Sequence, residues 1–265
     1  TAYRMMLAAD PKQMQKLRGQ FRVVSSAGEP LNPEVIRWFD QVLDAPIYDH
    51  YGQTEVGMVV CNHHGLQHEV KPGSAGFASL GYRVVTVDEQ GNELAHDTPG
   101  ILAVDLEKSP MMWFGGYEES RKSPFVKHYY LTGDTAEVHS DGSMSFVGRS
   151  DDVITTSGYR IGPFDVESAL LEHEAVIEAA VIGVPDPERT EIVKAFVVLA
   201  EPDAASDSLA ESLSQFVKKR LSAHAYPRLV EFVTELPKTP SGKIQRFLLR
   251  NQEIEKQKVK LNVAS

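Results

Sequence analysis

Three glycine-containing segments, each presenting a charged residue, constrain the middle of this chain more than any other feature. They lie in Tyr130-Leu131-Thr132-Gly133-Asp134, in Gly148-Arg149-Ser150-Asp151-Asp152 and in Ser157-Gly158-Tyr159-Arg160-Ile161-Gly162. Glycine-aspartate turns are common in β-rich segments, so each motif alone is satisfied by a hairpin turn with a solvated salt bridge. Together they describe loops that carry ligand chemistry. A carboxylate just past a Thr-Gly turn can accept both hydroxyls of a ribose, and arginines on neighbouring loops can hold phosphates through their forked donors.

Around this segment the texture changes twice. Asn32-Pro33-Glu34, followed by Val35, Ile36, Phe39, Val42 and Leu43, predicts an amphipathic helix with Asn32 as N-cap and Pro33 at its first position. That helix lies between two short strand candidates, so residues 1–70 read as α/β. Residues 82–87, 100–104 and 144–147 read as strands separated by turns such as Glu89-Gln90-Gly91-Asn92 and Ser140-Asp141-Gly142. They make residues 71–150 a small β-barrel or an open sheet. Past Arg149 a helix is expected to open at Pro163 with Val166, Ala169 and Leu170 on one face, followed by strands over 176–184 and 192–199. A polar loop over 201–208 leads to a helix capped by Asp207, with the stripe Leu209, Leu213, Phe216, Val217 and Leu221. A strand over 229–233 completes a compact α+β unit. The domain boundary is placed at Ser150-Asp151, giving domains 1–150 and 151–265.

A chain of 265 residues can bury a core in each of two such domains. Its 42% hydrophobic and 24% charged content is that of an ordinary soluble globular protein. No apolar run approaches the roughly 20 residues of a membrane span. The single cysteine, Cys61, excludes an internal disulfide framework, which suits the cytoplasm or an organelle matrix. A net charge of −10 argues against a nucleic-acid partner. The charge is uneven, however: from Lys218 onward eleven Lys/Arg face four Asp/Glu, a basic end that suits an anionic small ligand. His63, His64 and His68 lack a cysteine or carboxylate at ligand spacing and do not read as a metal site. An oligomer is left open.

Three further segments narrow the reading. Ser26-Ala27-Gly28-Glu29-Pro30-Leu31 follows the apolar run 21–24 and precedes a helix, so its backbone lies in a strand-to-helix loop of the kind that seats adenine rings and phosphates. Asp49-His50-Tyr51-Gly52-Gln53-Thr54-Glu55 follows Pro46-Ile47-Tyr48 and is expected to put an aromatic face, a hydroxyl and a carboxylate within one loop. Leu236-Pro237-Lys238-Thr239-Pro240-Ser241-Gly242-Lys243-Ile244-Gln245-Arg246 places Lys243 on a glycine turn between a strand and a helix. In order and wording these segments resemble the adenylate-forming superfamily, which contains acyl-CoA synthetases, luciferases and peptide-synthetase adenylation domains. The likeness is greatest to the medium-chain acyl-CoA synthetases and runs from about Leu17 to about Arg250.

That resemblance implies the end of a large AMP-binding domain, an α/β segment plus a small β-barrel, followed by a small mobile α+β lid. It implies a reaction in which a carboxylic acid is joined to the AMP moiety of ATP and the acyl group then passes to CoA. Such a step needs charge neutralisation more than a protein nucleophile, so Mg²⁺ and cationic side chains are expected to carry it. Matched motif to motif, the backbone of Gly28, Glu29 and Pro30 lines the base, Tyr51 stacks on adenine, and Asp49 lies near its exocyclic amine. Gly52 and Gln53 belong to the same ATP/AMP site, and Asp134 and Arg149 are assigned to the ribose. Thr54 donates its hydroxyl to a phosphate or carboxylate oxygen, Glu55 holds Mg²⁺, and Lys243 is the cation bridging carboxylate and α-phosphate oxygens.

By the same matching Asp151 is a hinge, about which the small domain swings between an adenylating and a thioester-forming pose. In the second pose Ser157, Gly158 and Tyr159 line the pantetheine channel, and Arg160, Arg189, Lys218, Tyr226 and Arg228 contact the nucleotide end of CoA. Many relatives carry a lysine just before Tyr-Pro-Arg. This chain has Ala225, preceded by His224, so one phosphate contact is missing or supplied elsewhere. Gly52 occupies the position where acetate-specific relatives close the acyl pocket with tryptophan, which suggests room for a longer or bulkier acid. Because the family's phosphate loop lies upstream of the adenine segment, the chain is expected to be the C-terminal half of a larger enzyme, inactive alone. Three rivals remain: a short-chain or aromatic acid CoA ligase, a peptide-synthetase adenylation domain, and a non-catalytic nucleotide-binding fragment.

Overall fold

The computed structural model describes residues 2–7, 9–28, 31, 33–71, 73–118, 123–240 and 242–263. The chain divides into two compact units, Thr1–Ser150 and Asp151–Ser265. The first opens with two short helices that no periodicity announced, α1 (Ala2–Leu7) and α2 (Pro11–Gln15), the latter capped by the Asp10 side chain accepting from the Lys12 N–H. β1 (Val24–Ser26), α3 (Pro33–Trp38) and β2 (Ile47–Gln53) then form a β–α–β crossover, with β1 and β2 paired in parallel. The expected apolar stripe is present: Val35, Ile36, Phe39 and Leu43 are buried against Val24 and Ile47. After Trp38 the winding widens into a π-helical turn over Phe39–Leu43, which ends at Asp44 with φ 54°. The expected cap, Asn32, lies outside the described residues.

The chain continues through β3 (Gly57–Cys61), β4 (Ser74–Ala78), β5 (Val84–Val87), β6 (Gly100–Asp105), β7 (Phe125–Val126), β8 (Tyr129–Val138) and β9 (Met144–Arg149). Their hydrogen-bonded order is β1-β2-β3-β4-β9-β8-β6-β5, with β7 added to β8. The path has two ends, β1 and β5, so the open form is the one adopted. The texture change near residue 70 is not a structural border, because β3 pairs with β4 across it. Along β6 the side chains alternate as a two-residue period requires. Leu102 and Val104 join Val60, Val84, Tyr130 and Met144, while Ala103 packs with Val87 and Tyr129. Full burial of a side chain such as Leu102 contributes about 2 kcal/mol.

The second unit contains β10 (Ile154–Thr156), β11 (Tyr159–Ile161), α4 (Pro163–Leu171), β12 (Val176–Asp186), β13 (Thr190–Leu199), α5 (Asp207–Arg220), β14 (Leu229–Phe232) and α6 (Arg246–Val263). The sheet order is β11-β10-β13-β12, with β14 parallel to β13. Val193, Ala195 and Val197 pack with Val166, Ala169 and Leu170 of α4 and with Leu213 and Val217 of α5. The intervening Phe196, together with Ala180, Ile182 and Val184, meets Leu249 of α6 and Leu236. Helices thus cover both faces of this sheet. The cap of α5 is Ser206, whose hydroxyl accepts from the Leu209 N–H at 3.2 Å, and not Asp207. Ser206 has the extended backbone a cap needs, whereas Asp207 is already helical and acts only as an acid in the first turn. Among the described residues no helix is long and apolar enough to cross a membrane.

Candidate active site

Asp134 is the centre of a hydrogen-bonded group in the first unit. It does not sit on a hairpin turn: Gly133, with φ +74°, lies inside β8, and Gly148 lies inside β9. Asp134 faces Arg149 across the pair, and the register shifts between Thr135 and Ala136. A left-handed glycine within an antiparallel pair marks a bulge, a device that re-aims neighbouring side chains. Turn chemistry and bulge chemistry use the same residue, which is why the sequence reads as a turn.

The carboxylate is 4% exposed as a residue. Its Oδ2 accepts from the Tyr51 hydroxyl at 2.5 Å and from Gln53 Nε2 at 2.8 Å, and Arg149 Nη1 lies 3.6 Å from Oδ1. Gln53 Nε2 also donates to the Thr132 carbonyl at 2.9 Å, and Gln53 Oε1 accepts from the Tyr130 hydroxyl at 3.0 Å. The Tyr51 ring packs on Phe146, centroids 6.0 Å apart. Burial, and then the Asp134 charge, push the Tyr51 hydroxyl far above the usual phenol range. This phenol is therefore a fixed donor.

Asp49 to Gln53 do not form a loop. They belong to β2, held by β1 on one side and β3 on the other, and only Thr54 to Val56 make the turn. Tyr51 and Gln53, alternate residues of the strand, both reach Asp134. Gly52 between them answers to the hairpin itself: a Cβ there would stand 2.2 Å from the Gly57 carbonyl oxygen. Glycine at 52 thus also answers to a backbone contact inside the hairpin, independently of the acid bound. In the turn, Thr54 is exposed and Glu55 Oε1 accepts from the Tyr117 hydroxyl at 2.7 Å.

Asp49 occupies the other end of β2. Burial pushes its carboxyl up to about 6, against hydrogen bonds from the Leu31 backbone and the Ser26 side chain. Ser26 and Leu31 are the two ends of the predicted adenine loop, so loop and carboxylate are brought together. Asp49 Oδ1 is buried with no hydrogen-bond partner among the described residues. Gly28 is exposed with φ +90°, and Glu29 and Pro30 lie outside the described residues.

The second unit carries the remaining candidates on its surface. Asp151 is its first residue and is exposed. Lys243 is exposed on a tight turn in which the Thr239 N–H donates to the Lys243 carbonyl at 2.8 Å and the Lys243 N–H to Thr239 Oγ1 at 3.1 Å. Just beyond it, Arg246 grips buried Glu167, Nε to Oε1 at 2.9 Å and Nη2 to Oε2 at 2.6 Å, and lies 3.7 Å from Asp152, which Arg250 also binds. Ser157 and Gly158, φ 48° and 84°, form the two-residue turn between β10 and β11, and Arg189 Nη1 donates to Ser157 Oγ at 3.2 Å. Lys218 Nζ and the Arg228 guanidinium lie 5.0 and 4.9 Å from the centre of the Tyr226 ring. Tyr159 and Arg160 are exposed on β11.

Two members of the first group were not assigned from sequence. Tyr130 stands inside a quoted motif but had no role, and Tyr117 lies in the run Trp113-Phe114-Gly115-Gly116-Tyr117, whose glycine-flanked aromatics were the available signal.

Residues 1–112 match the model of the AMP-binding enzyme family, and residues 165–243 match that of the AMP-binding enzyme C-terminal domain. The chain belongs to the AMP-binding enzyme family. Over 259 residues, 96% of the chain, it is 46% identical to the rat (Rattus norvegicus) mitochondrial acyl-coenzyme A synthetase ACSM4, covering 44% of that protein. A crystal structure of Brucella canis acyl-CoA synthetase shares 64% identity, with coverage of 97% of this chain and 47% of that one, at a TM-score of 0.58. The anthranilate CoA ligase AuaEII, solved in complex with anthranoyl-AMP, superposes with a TM-score of 0.78 at 33% identity, covering 95% of this chain and 48% of its own. The fold of this AMP-binding family member is therefore that of adenylate-forming enzymes, and the chain spans about half the length of the curated relatives it matches.

Proposed function

We propose that this chain is the C-terminal portion of an AMP-forming acyl-CoA synthetase, a carboxylate–CoA ligase for a medium-chain fatty or related carboxylic acid. The observation that carries the reading is the convergence of Tyr51, Gln53 and Arg149 on buried Asp134, with an Asp49 oxygen that has no partner among the described residues at the other end of the same strand. In this reading Asp49 Oδ1 takes the exocyclic amine of adenine, the loop from Gly28 to Pro30 lines the base, and Tyr51 flanks it. Asp134 and Arg149 take the ribose. Thr54 donates its hydroxyl to, and Lys243 neutralises, the oxygens that carry charge as an oxygen of the acid attacks the α-phosphorus of ATP and the bond to pyrophosphate breaks.

Glu55 suits a hard cation, because its carboxylate stands at a turn with one oxygen already oriented by Tyr117. Mg²⁺ held there would neutralise the polyphosphate. In the second half-reaction the CoA sulfur attacks the acyl carbon, the bond to AMP breaks and AMP leaves. The unit beginning at Asp151 is then a mobile lid whose faces are used in turn, Lys243 for the first step and the surface around Ser157, Gly158 and Tyr159 for the second. Partners are the acid, ATP and CoA, in the cytoplasm or an organelle matrix.

Pyrophosphate release by the complete enzyme over a panel of acetate, butyrate, hexanoate and benzoate tests this. Preferential turnover of butyrate or hexanoate supports it, preference for benzoate moves the substrate class to aromatic acids, and preference for acetate removes the chain-length assignment. Absence of acid-dependent pyrophosphate release would remove the synthetase reading in favour of a non-catalytic module.

A further inference from the structure

One edge of the second unit gathers cations without counter-charges. Among the described residues none of Arg160, Arg189, Lys218 and Arg228 pairs with a carboxylate, while nearby Arg220 pairs with Glu172. In a chain of net charge −10 this is an unusual concentration of unspent positive charge. Two of these cations flank the Tyr226 ring, at 5.0 and 4.9 Å. Two residues earlier, the His224 ring lies face to face on Tyr159, centroids 3.8 Å apart and planes 14° from parallel. Tyr159 is 50% exposed, so the stacked pair stands at the surface and is not core packing. The Ser222 hydroxyl accepts from the N–H groups of His224 at 3.3 Å and Ala225 at 3.2 Å, which fixes the backbone under the ring. Neither ring nitrogen of His224 has a hydrogen-bond partner among the described residues. The result is a ring with a fixed plane and free polar edges beside unpaired cations. Phosphate groups attached to a nucleoside fit that chemistry.

We propose that His224 is a specificity-determining contact for the phosphates of CoA. Clamped against Tyr159, it presents a ring N–H to a phosphate oxygen and supplies the contact that the Ala225 methyl group cannot make. This rests on the synthetase reading and identifies how this chain holds its thiol donor without a lysine before Tyr226-Pro227-Arg228.

The test uses the complete enzyme. His224→Ala is expected to raise KM for CoA roughly tenfold, the loss of one hydrogen bond to a charged group, with kcat at saturating CoA and KM for ATP within about twofold of the parent. His224→Phe keeps a ring for Tyr159 to stack on but removes both nitrogens, and should match the alanine variant. His224→Ala combined with Ala225→Lys should restore KM for CoA. With dephospho-CoA as substrate, a vanished penalty places the contact on the 3′-phosphate and a persistent one places it on the diphosphate. A KM for CoA within twofold of the parent in His224→Ala, or a normal value in His224→Phe, overturns the proposal. Pyrophosphate release precedes CoA, so failure of the parent enzyme to adenylate any acid would strike the synthetase reading and not this contact.

Discussion

The two units hold their candidate residues in opposite ways. In the first, Asp134 is 4% exposed and its partners come from β2 and β9, so the carboxylate is fixed before any ligand arrives. In the second, Lys243 stands in solvent on a five-residue turn, and Ser157, Tyr159 and Lys218 are exposed as well. One group is held inside a sheet while the other is carried on exposed turns. The difference teaches that the proposed roles ask for two kinds of placement, a preformed group for selecting a ligand and a solvent-facing cation for presenting to it.

The hardest test of that contrast is Lys243→Ala. In the complete enzyme, adenylate formation should fall roughly a thousandfold, the scale of losing one preorganised charge-stabilising group. Thioester formation from supplied acyl-adenylate and the melting temperature should hardly move. Equal loss of both half-reactions would erase the division of labour. Next in size is Arg246→Ala, which strands Glu167, a side chain 6% exposed, without its cation. Urea unfolding of the second unit should show a loss of about 3–5 kcal/mol, since an unpaired buried charge is the costliest remainder. A loss under about 1 kcal/mol would mean that the Lys243 turn does not stand on a rigid base.

Tyr51→Phe comes third. Removing the hydroxyl that Asp134 accepts should cost about 2 kcal/mol, read as a lower urea midpoint for the first unit. An unchanged midpoint would show that the site is no more preorganised than the rim. The smallest effect is a slope. Because burial holds Asp49 up at about 6, the folded chain keeps a proton between pH 4 and 6 that the unfolded chain has released. This group therefore lowers stability as pH rises through that window, by about 1–2 kcal/mol, and Asp49→Asn should flatten the difference between the two ends.

What could be read before the coordinates was whatever repeats or pairs locally. The α3 stripe, the helix at Pro163 and the alternation in β12 and β13 follow from periods of 3.6 and 2. Gly133 could not be placed, because a left-handed glycine looks the same in a turn and in a bulge until its partner strand is known. Residues 49–53 are polar enough to read as loop. They form a strand because β1 and β3 supply ladder partners from outside the segment. The cap of α5 was missed by one residue, where Ser206 and Asp207 are both good caps and only the backbone angle decides. Tyr117 and Tyr130 were invisible for a third reason: their partners are side chains far away in sequence.

That distance has a consequence for how the protein is made. Tyr51 and Asp134 are 83 positions apart, and in the sheet β3, β4 and β9 lie between their strands, β2 and β8. A contact of that separation must close a long loop before it is rewarded, so a ligand held by this group would stabilise the chain only after its distant strands have met.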